Sequence, residues 1–272
     1  METILQPYSE QLEKEGPELT ALRAVIFDFI GTLASVECYD MEASKLKLYG
    51  AIFDAGFKVG EKDFLKAYDE AHEKYRIVRY EELVEVTNAV WVSEALNCLG
   101  FKIGPEDMRM KAAINVFFAD YLESLRLNPC VKELLARTSS VCKAGLISNF
   151  TFAPVIYAAV RKLGLGRYLN AVLVSEDVGW RKPNRRIFEE ALKRLRVDAE
   201  ETVYVGDSPL EDVKGATLVG MKTVFVPSQF YSLVNLQESG QKPDLIVKNV
   251  CELHRKLKGA NKSPTQELLF NH

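Results

Sequence analysis

Six polar residues stand at or just beyond the ends of short apolar runs: Asp28 in VIFDFIGT, Ser148 and Asn149 in GLISNF, Lys182 in GWRKPNRRIF, and Asp207 with Asp212 in VYVGDSPLEDVKGA. Taken singly, each has an ordinary explanation. Asp28 can form a strand-end turn, Ser148 and Asn149 can cap a following helix, and Lys182 and Asp212 can be solvated charges. Together they supply a carboxylate able to act as a nucleophile, a hydroxyl, an ammonium and a carboxylate pair. Phosphoryl transfer calls for such a set, because it is governed by positioning and charge stabilisation. Mg²⁺ favours oxygen ligands and often uses only one or two carboxylates, the number that Asp28 and Asp207 provide. Covalent catalysis by a carboxylate divides one hard displacement into two easier steps.

These residues need a common edge. LRAVIFDF, from Leu22 to Phe29, is apolar without alternation, as expected of a strand buried on both faces. KAGLIS, AVLVS, TVYVG, KTVFV and DLIV have the same texture. Helices are expected at 154–163 and 185–195, between TVYVG and KTVFV, and after DLIV. Ile187, Phe188, Ala191, Leu192 and Leu195 share one helical face. Strands separated by crossover helices predict an α/β fold with a parallel sheet. In such sheets ligands bind beyond the carboxyl ends of the strands, where the six residues fall. Residues 41–127 show no strand signal and divide into four amphipathic stretches, about 41–56, 61–79, 81–99 and 105–126, the first and third ending near Gly56 and Gly100. The expected organisation is a Rossmann-like core over 22–37 and 128–259, an inserted all-helical cap over 38–127, and polar extensions at 1–21 and 260–272.

In order and context, the four segments resemble the four motifs of the haloacid dehalogenase (HAD) superfamily, and with the core between them they span nearly the whole chain. The resemblance implies a Rossmann-like core with a helical cap after the first strand. It implies Asp28 as the nucleophile of a covalent aspartyl intermediate, with Thr32 supporting the first loop on the substrate side. Ser148 would hydrogen-bond phosphoryl oxygens with Asn149 beside it, and Lys182 would neutralise charge on nucleophile and substrate. Asp207 would bind Mg²⁺ with Asp28 and the backbone carbonyl of Ile30, while Asp212 would orient Lys182 or the metal's waters. The implied substrate is a small phosphorylated metabolite.

One position departs from the pattern. Phosphatases of the superfamily carry a second aspartate two residues after the nucleophile, as acid and base for the leaving group, and this sequence has Ile30 there. A positioned general acid or base contributes roughly 10² to 10⁴ in rate, so weak activity on poor leaving groups is expected. One alternative is a 2-haloacid dehalogenase, whose halide leaves without a proton and whose substrate would be halogenated. Against it stand the aspartates of GDSPLED and the absence of any arginine between Asp28 and Arg76. Another is a catalytically retired HAD fold that serves as a binding protein.

Composition narrows the remaining classes. The chain has 272 residues, 47% apolar and 27% charged, with 35 Lys and Arg against 38 Asp and Glu. That is an ordinary globular balance without the basic excess that draws nucleic acid or an anionic membrane. With only His72, His254 and His272 available, histidine-based metal sites and triads are disfavoured. The five cysteines are odd in number and never spaced as CxxC, which suggests neither a disulfide framework nor zinc. The N-terminus has no signal-peptide pattern and no 18-residue apolar stretch occurs, so a cytoplasmic protein is expected. Tyr68, Tyr75, Tyr80, Trp91, Phe117, Phe118 and Tyr121 are expected to pack the cap. Arg76 and Arg79 are expected on a solvated helix face, as are Arg185 and Arg186 beside Arg181 and Lys182.

Overall fold

The computed structural model describes Tyr8, residues 14–17 and residues 21–257; the expected extensions at 1–21 and 260–272, with His272, otherwise lie outside the described residues. Six strands form one parallel sheet: β1 (Ala24–Asp28), β4 (Lys143–Ser148), β5 (Ala171–Val174), β6 (Thr202–Gly206), β7 (Lys222–Phe225) and β8 (Leu245–Ile246), in the order β5-β4-β1-β6-β7-β8. The fold is α/β with an inserted set of helices. β1 is buried along its whole length, which explains its unbroken apolar texture. Its side chains still alternate: Val25 and Phe27 join one apolar cluster, while Ala24 and Ile26 join a second with Ile187, Phe188, Ala191 and Leu195. Those last four line the inner face of the helix Arg185–Leu195, whose N-cap Asn184 accepts from the Arg186 amide. The chain passes from β1 to β4 and β5 on one side and then crosses to β6 on the other, so the strand order reverses around β1. The carboxyl ends of β1, β4 and β6 lie at that reversal, the usual crevice of such sheets.

Between β1 and β4 stand the helices α1 (Met41–Asp54), α2 (Glu61–Glu81), α3 (Asn88–Cys98) and α4 (Met108–Ser124). α1 packs on α4 and α2 on α3. Tyr68, Trp91, Phe117 and Phe118 are buried. Phe118 stacks on Phe152 and tilts against Phe150, both in the segment that follows β4. Cap and core therefore share one apolar cluster.

Four expectations change. Residues 41–127 do contain a strand, because β3 (Leu125–Leu127) pairs antiparallel with β2 (Ala34–Val36) where the chain enters and leaves the inserted helices. Three residues are too few to carry a period. The stretch expected to be helical over 81–99 becomes helical only at Asn88, since Leu83 is left-handed and Val84 pairs with Trp180 instead. A helix at Leu233–Ser239 stands where no element is expected; Ser232 caps it in a reciprocal capping box with Asn235. Cys130 and Cys251, 121 residues apart in sequence, are joined by a disulfide. Pairing across that separation is a property of the fold and leaves no mark in local spacing.

Among the described residues, no helix is long and apolar enough to cross a membrane.

Gly215 follows the turn after β6, and a Cβ there would lie 2.5 Å from the Phe188 ring and 3.0 Å from the Pro183 Cα. Gly215→Ala is therefore expected to cost about 1–3 kcal/mol by overpacking. Thermal unfolding should register this as a fall in Tm of about 2–4 °C per kcal/mol, and an unchanged Tm would refute the close approach.

Candidate active site

Asp28 is the last residue of β1. Two positions from Ile26, it leaves the sheet on the face of Tyr204, the cross-strand partner of Ile26 in β6. Lys182 arrives from the opposite direction, in the loop before the helix Arg185–Leu195. Its side chain is 1% exposed. The ammonium donates to Asp28 Oδ1 at 2.7 Å and to Asp212 Oδ1 at 2.6 Å, and lies 3.0 Å from the Tyr204 hydroxyl. A solvated lysine, the ordinary reading of this residue alone, is thereby overturned. Its buried place satisfies the ammonium with two carboxylates, which keep Lys182 charged well above its ordinary value despite desolvation.

The turn after β6 supplies Asp207 and Asp212. Pro209–Val213 forms a π-turn that brings Asp212 back over the strand end, where its Oδ2 accepts from the Ser208 amide at 2.9 Å. Tyr204 also donates to Asp212 Oδ1 at 3.1 Å. Both oxygens of Asp212 are thus engaged in holding Lys182 and the turn. Gly206 makes this possible, since a Cβ there would lie 2.4 Å from the Asp212 carboxyl carbon. Gly31, at φ +102°, leaves similar room: a Cβ would fall 2.1 Å from Asp207 Oδ2.

The other expected residues gather nearby with different degrees of freedom. Ser148 ends β4 and is buried. Asn149 holds the Lys182 peptide from both sides: its Oδ1 accepts from Lys182 N at 2.7 Å, and its Nδ2 donates to Lys182 O at 3.0 Å and to Glu211 Oε2 at 2.9 Å. In this geometry Asn149 positions Lys182 rather than presenting a free donor. Thr32 is fully buried; its carbonyl accepts from Asn128, and its hydroxyl has no protein partner. Ile30 bridges to Ala34 and packs against the larger apolar cluster.

Asp28, Asp207 and Asp212 are the three buried groups whose oxygens lie within 4.8 Å of one another, the arrangement able to hold a metal ion among the described residues. Asp28 Oδ2 is buried without a hydrogen-bond partner. Ser228 accepts at Oγ from the amides of Phe230 and Tyr231, so its single proton points to Asp207 Oδ2 at 2.5 Å. Three carboxylates face one ammonium, which leaves two negative charges unbalanced. Burial raises Asp28 first, partly opposed by Lys182. Burial and then the charge of Asp28 push Asp207 up to about 8.

A HAD-hydrolase-like family pattern matches residues 179–253, the segment that carries Lys182, Asp207 and Asp212. A glyceraldehyde 3-phosphate phosphatase of Methanopyrus kandleri is 28% identical over 237 residues, which cover 85% of this chain and 95% of that protein. Its counterpart from Methanothermobacter thermautotrophicus is 28% identical over 211 residues, 76% and 87% of the two chains. The fold is also that of a 2-haloacid dehalogenase from Pseudomonas syringae, with a TM-score of 0.56 and 23% identity over 86% of this chain and 97% of the other. The family match and the two relatives of similar length support a hydrolase of the HAD superfamily.

Several residues of this site carried no signal in the sequence. Tyr204 reads as an ordinary strand residue, and Ser228 and Glu211 as loop and turn polars. Gly31 and Gly206 beside the aspartates were the available hint, since glycine next to a functional side chain marks close approach.

The raised carboxylates set the sign of a pH effect in the metal-free protein. Asp207 binds its proton more tightly folded than unfolded, so stability is greatest below about pH 4 for this group and declines as pH rises toward about 8. In EDTA, the Tm of Asp207→Asn relative to the wild type should therefore rise between about pH 4 and about pH 8. An Asp207→Asn variant with the wild-type slope would refute the repulsion.

Proposed function

We propose that the chain is a Mg²⁺-dependent phosphate monoester hydrolase that acts on a small phosphorylated metabolite through an aspartyl-phosphate on Asp28. One observation carries the reading: Asp28 keeps Oδ1 on Lys182 while Oδ2 is buried without a partner, beside Asp207. The residues fit a divalent cation, since the two uncompensated charges and the orphaned oxygen are what such an ion would satisfy. Asp28 and Asp207, with the carbonyl of Ile30, would hold it. Asp212 would stay outside, because Lys182, Tyr204 and the Ser208 amide occupy its oxygens. When bound, Mg²⁺ supplies charge neutralisation for phosphoryl oxygens.

The chain's own groups do the rest. Lys182 lowers the repulsion between the Asp28 carboxylate and an incoming phosphate; with Oδ2 facing the cation position, Oδ1 forms the bond to phosphorus as the bond to the ester oxygen breaks, and the alcohol leaves with a proton taken from water because Ile30 offers none. Ser148 donates to a phosphoryl oxygen at the end of β4. Asn149 and Asp212 fix Lys182 from its backbone and its tip. Water then hydrolyses the aspartyl-phosphate and regenerates Asp28. The phosphatase names of the two relatives of similar length support phosphate as the transferred group.

Ile30 favours a second reading, dehalogenation, in which the leaving halide needs no proton. A parallel assay for released phosphate and released halide, with and without Mg²⁺, separates the two. Hydrolysis of p-nitrophenyl phosphate that stops with EDTA is expected; halide release without metal would replace the proposal, and neither release would support a retired binding fold. Asp28→Asn should abolish turnover. Ile30→Asp should raise turnover of alkyl phosphates more than of aryl phosphates, by up to roughly 10², and an unchanged ratio would show that the missing acid is not limiting.

A further inference from the structure

The inserted helices also meet the core through a loop, apart from the β2-β3 ribbon and the Phe118 contacts. The loop between α2 and α3 lies against residues 179–181. Glu85 N donates to Gly179 O at 3.0 Å, Arg181 N donates to Leu83 O at 3.2 Å, and Val84 pairs antiparallel with Trp180. Glu85 itself is a fully buried carboxylate. It accepts from Arg79 Nε at 2.9 Å, from Arg181 Nη1 at 3.1 Å and from the Ser175 hydroxyl. Arg79, expected to be solvated, is thus turned inward, and burial holds its guanidinium below its ordinary value.

From this carboxylate a continuous path runs to the site. Arg181 Nη2 reaches Glu211 Oε1 at 3.5 Å, Glu211 Oε2 accepts from Asn149, and Asn149 brackets the Lys182 peptide. Arg181 is also the residue immediately before Lys182. A second branch leaves Ser175, whose hydroxyl accepts from the Phe150 amide next to Asn149. Glu85 touches none of the reacting groups, yet the first branch ends on Asn149, which holds Lys182 in place, and the second on its neighbour Phe150. Two guanidiniums and one carboxylate also make the arrangement all-or-none, because withdrawing Glu85 leaves Arg79 and Arg181 buried together without their shared anion.

We propose that Glu85 is a positioning residue for the hydrolytic reaction: docking of the inserted loop through Glu85 orders Arg181 and so places Lys182 on Asp28. The proposal rests on the phosphatase reading above. It separates Glu85 from a purely structural ion pair, because the effect must reach turnover through residues 179–182.

The test uses the full chain with Glu85→Gln, Glu85→Asp, Arg181→Gln and the Glu85→Gln/Arg181→Gln pair. Three quantities are measured: kcat and KM for p-nitrophenyl phosphate with Mg²⁺, Tm, and hydrogen exchange of peptides covering 179–183 and 24–28. Glu85→Gln should lower kcat by about 10- to 100-fold with KM little changed, the scale expected of a small displacement of a catalytic group. Exchange should quicken at 179–183 and stay slow at 24–28. Glu85→Asp should recover part of the loss, and the double variant should lose no more than the weaker single variant. Near-wild-type kcat in Glu85→Gln, losses that multiply in the pair, or unchanged exchange at 179–183 would overturn the proposal. If Glu85→Gln does not fold, Glu85→Asp decides by the same readouts, with intermediate loss expected and none overturning. A wild-type chain that releases no phosphate counts against the functional reading; the exchange measurement needs no substrate and still decides whether Glu85 orders Lys182.

Discussion

A lysine ammonium removed from water between two carboxylates is the constraint on which the site depends. Desolvating such a charge is expensive, and removing one partner of a buried pair costs about 3–5 kcal/mol. Lys182 therefore demands that Asp28 and Asp212 arrive together. Asp28 comes from the end of a strand buried on both faces. Asp212 comes from a π-turn that folds back over the neighbouring strand and is tied there by the Ser208 amide. The parallel register of β1 and β6 brings the two carriers side by side. Gly206 and Gly31 then matter for what they lack, because side chains at either position would occupy the space of the aspartate carboxylates.

The balance is deliberately incomplete in electrostatic terms. One ammonium compensates two carboxylates only in part, and Asp207 adds a third charge at the same edge. Ser228 gives Asp207 one neutral donor, and Asp28 Oδ2 receives none. Without a cation the conflict is relieved by protonation, since burial and the charge of Asp28 let Asp207 keep its proton up to about pH 8. The persistence of these groups in a buried cluster is the kind of local conflict that accompanies function.

Much of this was legible because the chemistry sits at strand ends. β4 and β6 were readable to the residue as KAGLIS and TVYVG, and Asp28, Ser148 and Asp207 follow directly from where those strands and β1 stop. Lys182 was legible as a type but not as a place: its basic, proline-flanked context resembles a surface loop, and its burial follows from contacts with residues 154 positions earlier and 30 later. Tyr204 was hidden for the opposite reason, since a buried aromatic in a strand needs no further explanation. The helix expected over 81–99 failed at Leu83 because nothing local breaks it. Its ending is set by the pairing of Val84 with Trp180 and by the buried Glu85, both tertiary.

The inserted helices also follow from physics that composition alone leaves ambiguous. Their aromatic residues are mostly core, as packing density would suggest, and Phe118 extends that core onto Phe150 and Phe152. Phe150 is the residue after Asn149, so apolar contact and the polar cluster meet within two consecutive positions. On the other side, Gln229 gives and takes hydrogen bonds with the Val36 backbone of the ribbon, one residue from Ser228, which orients Asp207. The Phe118–Phe150 contact and the Gln229–Val36 contact thus each lie one residue away from a group that holds a charged side chain of the site. Such proximity makes rigid-body movement of the helices hard to separate from small movements of Lys182 or Asp207, since close-packed contacts transmit displacement rather than absorb it.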